Sequence, residues 1–253
     1  MQPIFRLGRC FYASTVVALG IVSFFVRHLP IALFPWPEGF PAKQFLWGLI
    51  ATLFVAAGIG MMINKSARRF ALLAAVLFFL ILVYPNLVLL FQNIHNGGVW
   101  TVIGELAALG AGALILTGKI PGSTTHAADG SLSAYTAGRI IFALSLLIFG
   151  ILHFQYADYI ATLITSWIPF KLFWAYFVGL AFIAGFLSIL TNVKIYLASA
   201  LLGFMFLFWV LFEHLPRVIA KQGVEPEWTS LFIAAGFCGI FFMLAERGRI
   251  IEN

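Results

Sequence analysis

Trp47–Gly58 reads WGLIATLFVAAG, and Trp174–Gly185 reads WAYFVGLAFIAG. Each opens on tryptophan, runs apolar for about three helical turns, and closes on Ala-Gly. The pairing extends outward: Gly8-Arg9 recurs as Gly138-Arg139, Gly20 as Gly150, and Trp100-Thr101 as Trp228-Thr229. The offset between partners stays between 127 and 130 residues. One apolar helical unit is therefore present twice.

The chain around these landmarks has 253 residues, of which 62% are hydrophobic and 9% charged, with a mean hydropathy of +1.04. That composition lies outside the range of soluble domains and calls for a lipid bilayer as the surrounding solvent. Tryptophan and tyrosine crowd the ends of the apolar runs, where amphipathic rings favour the headgroup layer. The formal charge of +6 does not imply nucleic acid, because no basic cluster is interleaved with aromatics on a polar face. Cys10 and Cys238 stand alone, which argues against a dithiol or a zinc site. Met1 to Val26 resembles a secretory signal in having Arg6 and Arg9 before an apolar run. It lacks a small-x-small cleavage site, and an equivalent segment opens the second copy, so it reads as a permanent span.

Apolar runs long enough to cross a hydrocarbon core are Cys10 to Arg27, Gln44 to Ile63, Phe70 to Phe91 and Val99 to Thr117 in the first copy. In the second they are Ile140 to Tyr156, Leu172 to Leu190, Ile195 to Phe212 and Trp228 to Ala245. None alternates as a β-barrel strand would. The expectation is an all-α integral membrane protein of about eight transmembrane helices, arranged as two parallel four-helix bundles. The organisation is 1–118 for the first repeat, 119–138 for a polar linker and 139–253 for the second. Arg6, Arg9, Lys65, Arg68, Arg69, Lys119, Arg139, Lys194, Arg247 and Arg249 fall on one side. Arg27, Lys43, Lys171, Arg217 and Lys221 fall on the other. The excess of basic residues puts both termini in the cytoplasm, and an even number of spans per copy puts the pseudo-twofold axis along the membrane normal.

Two loops on the opposite, outer face, 29–41 and 159–169, are apolar, aromatic and proline-punctuated. Too short to span, they read as re-entrant or interfacial caps able to shield a cavity. Gly104, Ala108 and Gly112, together with Ala235 and Gly239, offer stripes without bulk for close helix packing. Gly20 and Gly150 mark two further crossings.

Several polar residues stand out against this background. His28, His95, His153 and His214 fall at the outer ends of odd-numbered spans; an imidazole there can bind a ligand head or keep one nitrogen wet. His153 and Tyr156 share a helix face if the helix continues, with Asp158 just outside it, and such a His-Tyr-Asp cluster under a cap can bind the head of a small amphipathic molecule. Glu213-His214-Leu215-Pro216-Arg217 puts a carboxylate, an imidazole and a guanidinium at a proline-terminated helix end. Such a group can handle protons or seat a quinone head, or be a solvated end whose charges cap one another. Tyr84-Pro85-Asn86 occupies the corresponding place in the first copy and predicts a kink. Glu105 lies about two turns inside the fourth span, where the second copy has Ile233. An ionisable group at that depth is functional by default, with a protonated, helix-bridging carboxyl as the structural alternative. No nucleotide-binding, zinc-protease or serine-hydrolase motif occurs, and no metal ligand set is expected.

Gly150–Tyr159 (GILHFQYADY), Trp167-Ile168-Pro169, Trp174, Gly179, Ala184-Gly185 and His214-Leu215-Pro216-Arg217 resemble DoxX-like membrane proteins across residues 139 to 245. The first copy, from Arg9 to Gly118, keeps Arg9, Trp47 and Ala57-Gly58 but lacks the His-Phe-x-Tyr stretch. The resemblance implies a compact four-span unit in a bacterial inner membrane. It further implies a membrane subunit or anchor of a quinone-linked redox system, as in relatives that are small subunits of thiosulfate:quinone oxidoreductase, with quinone as cofactor and a redox subunit as partner. A transporter or permeability factor for a small lipophilic solute, and a structural or assembly protein without a ligand, are the other readings.

Overall fold

The computed structural model describes residues 3–31, 33, 34, 43–63, 65–118 and 130–252. Eight helices are long and apolar enough to cross a membrane: Ile4–Val26, Phe45–Met62, Ala67–Gln92, Gly97–Thr117, Ala134–Gln155, Lys171–Thr191, Ile195–Ala220 and Glu225–Ile250. They are called the first to eighth spans below. No strand occurs among the described residues. Lipid is as apolar as leucine, so helix association here depends on packing and hydrogen bonding rather than on removing apolar surface from water.

The spans form a closed ring in chain order, and the two quartets interlock. The most extensive packing is between repeats: the first span against the eighth, and the fourth against the fifth. The fourth and eighth also touch each other across the pseudo-twofold axis. They are the most enclosed spans, with 61% and 78% of their most apolar window buried, against 22% for the seventh.

Glycine makes the two cross-repeat crossings tight. A Cβ on Gly8 would lie 2.6 Å from Gly239 O, and one on Gly138 would lie 2.7 Å from Ala111 O. Gly239 and Ala111 are equivalent at an offset of 128, so one contact is made twice. Within repeats, Gly20 meets the backbone of Ala51 and Gly150 meets Ile183, the expected close crossings. The predicted small stripe of the fourth span serves three neighbours, with Gly104 against Phe149 of the fifth span and Gly112 against Ile240 of the eighth and Tyr12 of the first.

Helical backbone continues past the apolar runs that mark the spans. The first helix starts at Pro3, the fifth at Gly130 inside the expected linker, and the last ends at Glu252; residues 119–129 lie outside the described set. Arg9, Arg139 and Arg247, read from sequence as loop charges, are 5%, 9% and 0% exposed, and the last two show the reason. Arg139 Nη1 donates to Ile189 O, to Leu190 O (3.1 Å) and to Asn192 Oδ1 (2.8 Å), satisfying the last carbonyls of the sixth span. Arg247 Nη2 donates to Ile115 O (3.0 Å) and to Gly118 O, ending the fourth span, and its guanidinium lies 4.4 Å from the Tyr135 ring centroid. A charge that caps a neighbouring helix belongs inside the helical body.

Candidate functional site

The third and seventh spans lose regular α geometry at the same level. Leu82–Leu87 and Val210–His214 are wide π turns. Proline accounts for both, since it brings no N–H and its ring displaces the carbonyl four residues back. Pro85 lies inside the first turn, beside non-helical Tyr84, and Pro216 lies two residues after the second. The widening carries Glu213 inward to 7% exposure.

There the Glu213 carboxylate accepts from the Thr165 hydroxyl (2.7 Å) and the Thr165 backbone N–H (3.2 Å). It fastens the second outer loop to the seventh span. In the first repeat Asn86 does the same with opposite polarity, its amide donating to Leu33 O and Ile81 O, both at 2.9 Å. Much of the first outer loop lies outside the described residues. Of the rest, Leu29, Leu33 and Phe34 are buried over the bundle. The second loop contains the short helix Ala157–Leu163, one too short to span.

Beyond Glu213 the second repeat adds a chain of alternating charges. Arg217 Nε lies 2.8 Å from Glu227, Arg217 Nη1 lies 3.6 Å from Glu213, and Lys221 lies 3.2 Å from Glu227. Glu227 is 5% exposed and bridges both cations from the first turn of the eighth span. Two acids and two bases balance, and His214 sits among them with its Nδ1 buried and without a hydrogen-bond partner. The matched positions in the first repeat are Pro85, Asn86, Leu89, Asn93 and Val99, which supply no charge. The chemical capability is specific: an imidazole nitrogen able to give or take one hydrogen bond beside a guanidinium that stabilises negative charge.

The remaining predicted residues do not join this group. The fifth helix stops at Gln155, and Tyr156 turns out of helical geometry at φ −119, ψ 30. The helix therefore does not run on through Tyr156 to Asp158, and no hydrogen bond joins His153, Tyr156 and Asp158 among the described residues. His153 Nδ1 donates to Phe149 O at 2.8 Å and its ring meets the Phe182 edge at 5.1 Å. Tyr156 donates to His95 O at 3.1 Å, on the loop before the fourth span. Asp158 is exposed, without an ion pair among the described residues.

Glu105 stands apart from all of these. It shares a helical face with Leu109 and Gly112, which pack on Tyr12, Gly236 and Ile240 of the first and eighth spans. Half-buried between the repeats, its carboxylate makes no hydrogen bond or ion pair among the described residues.

Glu227 and Thr165 were not singled out from sequence. The signal for Glu227 was an acid in the first turn of an apolar span, one short loop after Arg217 and Lys221. Thr165 gave none. The cavity expected beneath the outer caps is about 10 Å³ under the first loop, room for one water-sized sphere, and is lined by apolar residues including Leu19, Leu29, Leu33 and Phe54. In the second repeat Phe149, Phe182 and Phe206 occupy the matched core, with Phe182 5.9 Å from each of the other two rings. No three His, Cys, Asp or Glu side chains converge as a metal cage among the described residues. No family model, curated protein or solved structure matches the chain.

Proposed function

We propose that the protein is a membrane subunit or anchor of a quinone-linked redox system, in which the outer end of the second repeat receives the polar head of a lipophilic molecule. The observation that carries this reading is the buried, unpartnered His214 Nδ1 beside the Arg217–Glu227 ion pair. A polar atom buried without a partner leaves free energy on the order of 1–3 kcal/mol for a ligand to recover. A quinone carbonyl meets that need, and bound quinone would supply two-electron redox chemistry. His214 would hydrogen-bond the carbonyl, Arg217 would offset negative charge on it, and Glu213 would keep the outer loop in place. The resemblance to DoxX-like proteins supports the same reading, together with a bacterial inner membrane, cytoplasmic termini and a redox partner subunit.

Solvent extraction of the purified protein, followed by chromatography, tests the proposal. Wild-type protein should carry quinone and His214→Ala should carry little of it, with Asp158→Asn unchanged. Equal quinone in wild type and His214→Ala removes the assignment.

Glu105 favours a second reading, a transporter or permeability factor for a small lipophilic solute. A carboxylate without a partner between two like-facing repeats is suited to taking up a proton during transport. Acid-dependent solute uptake in liposomes, lost in Glu105→Gln, would select it over the redox reading.

A further inference from the structure

Arg9 and Arg139 occupy the same site in the two repeats and have opposite circumstances. Arg139 spends its guanidinium on the last carbonyls of the sixth span and on Asn192. Arg9 is equally deep, at 5% exposure, yet its Nε and Nη1 have no hydrogen-bond partner. The difference originates at the end of the second span. Ser66 closes that end itself: its hydroxyl donates to Gly60 O at 3.0 Å, and the backbone N–H groups of Ser66 and Ala67 donate to Ile63 O at 3.1 and 2.9 Å. At the 127-residue offset of this span, Ile63 O, the counterpart of the Leu190 carbonyl that Arg139 uses, is thus already engaged, and Lys65 stands where the second repeat has the acceptor Asn192. No Asp or Glu pairs with Arg9 among the described residues.

A buried guanidinium without a counter-charge is strongly unfavourable, so an anion from outside the chain is the natural partner. The surroundings indicate its source. Antiparallel packing sets Gly58 against Ala13 and Val17, which brings Arg9 level with the end of the second span, where the membrane core gives way to headgroups. Arg6, Lys65, Arg68 and Arg69 are exposed on this same face, the one carrying both termini. Basic residues clustered at the ends of membrane helices attract anionic headgroups, and a guanidinium fork matches phosphate oxygens.

We propose that Arg9 holds the phosphate of an anionic phospholipid at the terminal face of the first repeat, and that the second repeat has no such site because Arg139 is occupied. The proposal is independent of the outer-face reading, which concerns the other side of the membrane.

Native mass spectrometry of the full chain in detergent, titrated separately with phosphatidylglycerol and phosphatidylcholine, tests it. Wild type should bind phosphatidylglycerol more tightly. Arg9→Gln should lose about five- to tenfold of that affinity, as removal of one charged contact would give, and Arg139→Gln should keep it. Should Arg9→Gln fail to fold, Arg9→Lys decides. It keeps the charge without the fork, and should bind about two- to threefold more weakly. Undiminished phosphatidylglycerol binding by whichever Arg9 variant folds, or an equal loss in Arg139→Gln, overturns the proposal. So does stabilisation by inorganic phosphate that depends on Arg9 while the lipid has no effect.

Discussion

The first and fifth spans are near-copies along most of their length and diverge at their ends. Residues 8–21 and 138–151 are buried and exposed in the same order, position by position. Trp100 and Trp228 donate to the carbonyls of Ile94 and Gln222 at the same 2.8 Å. What differs is the polar chemistry at the two membrane faces: a charged network on the outer end of the second repeat only, and an unpartnered arginine on the terminal end of the first only. Packing between repeats has been kept while the ends have been free to specialise, so candidate sites belong where the copies disagree.

The largest losses should follow from substitutions in the packing that the repeats share. Gly8→Leu forces a side chain into the backbone of the eighth span, against Gly239 O and Met243 N. It should cost about 3 kcal/mol or more, and Gly138→Leu should match it, because the fourth and fifth spans repeat the crossing. Thermal unfolding in detergent reads both. Gly48→Leu, with open space around a built Cβ, serves as the control and should change stability by less than about 0.5 kcal/mol. A large loss from Gly8→Leu with none from Gly138→Leu would mean that the symmetry does not extend to energetics.

The next test concerns what only the second repeat has. Arg217→Ala leaves Glu227 with Lys221 alone and removes the tie to Glu213. Both carboxylates are buried while the Arg217 side chain is about a quarter exposed, so screening reduces the effect. A loss of about 1–3 kcal/mol is expected, whereas Leu89→Ala at the matched position of the first repeat should give only the loss of an apolar contact. A salt titration separates the two: added salt should narrow the gap between wild type and Arg217→Ala and leave the Leu89→Ala gap unchanged.

These contrasts also show how much was readable beforehand. Eight spans, the repeat and the crossings at Gly20 and Gly150 followed from apolar length and from landmarks at a fixed offset, because lipid imposes helices on any such run, whereas the cross-repeat crossings at Gly8 and Gly138 did not. Proline near both wide turns was visible too, and so was the Glu213-His214-Arg217 group. The separation of His153 and Tyr156 from that group was not, because it depends on a helix ending at Gln155 where no proline or glycine marks the stop. Nor was the fate of the arginines. A basic residue next to an apolar run reads as a loop charge, and only packing shows that Arg139 and Arg247 cap neighbouring helices. Glu227 joins the site through a contact across a loop, which no periodicity within one span can report.

A smaller effect should come from the core position where the copies differ by one hydroxyl. Tyr12 is fully buried and donates to Leu109 O, while its counterpart Phe142 meets Phe237, the residue matching Leu109, at 5.8 Å between centroids. Tyr12→Phe gives the first repeat the second repeat's chemistry and should cost about 1 kcal/mol, the net worth of one hydrogen bond. Adding Leu109→Phe should recover part of that loss if the two pairings are true alternatives. Thermal unfolding of the single and double variants measures the coupling.

The smallest change in stability is expected at Glu105, where the first repeat carries an acid and the second the buried Ile233. Glu105→Gln removes the charge and keeps the shape. Because the carboxylate has no partner to lose, unfolding should shift by no more than about 0.5 kcal/mol. A loss several times larger would contradict the absence of a partner. A marked gain would mean that the native acid is held ionised at a penalty between the repeats, which is the behaviour expected of a residue kept for what it does rather than for what it supports.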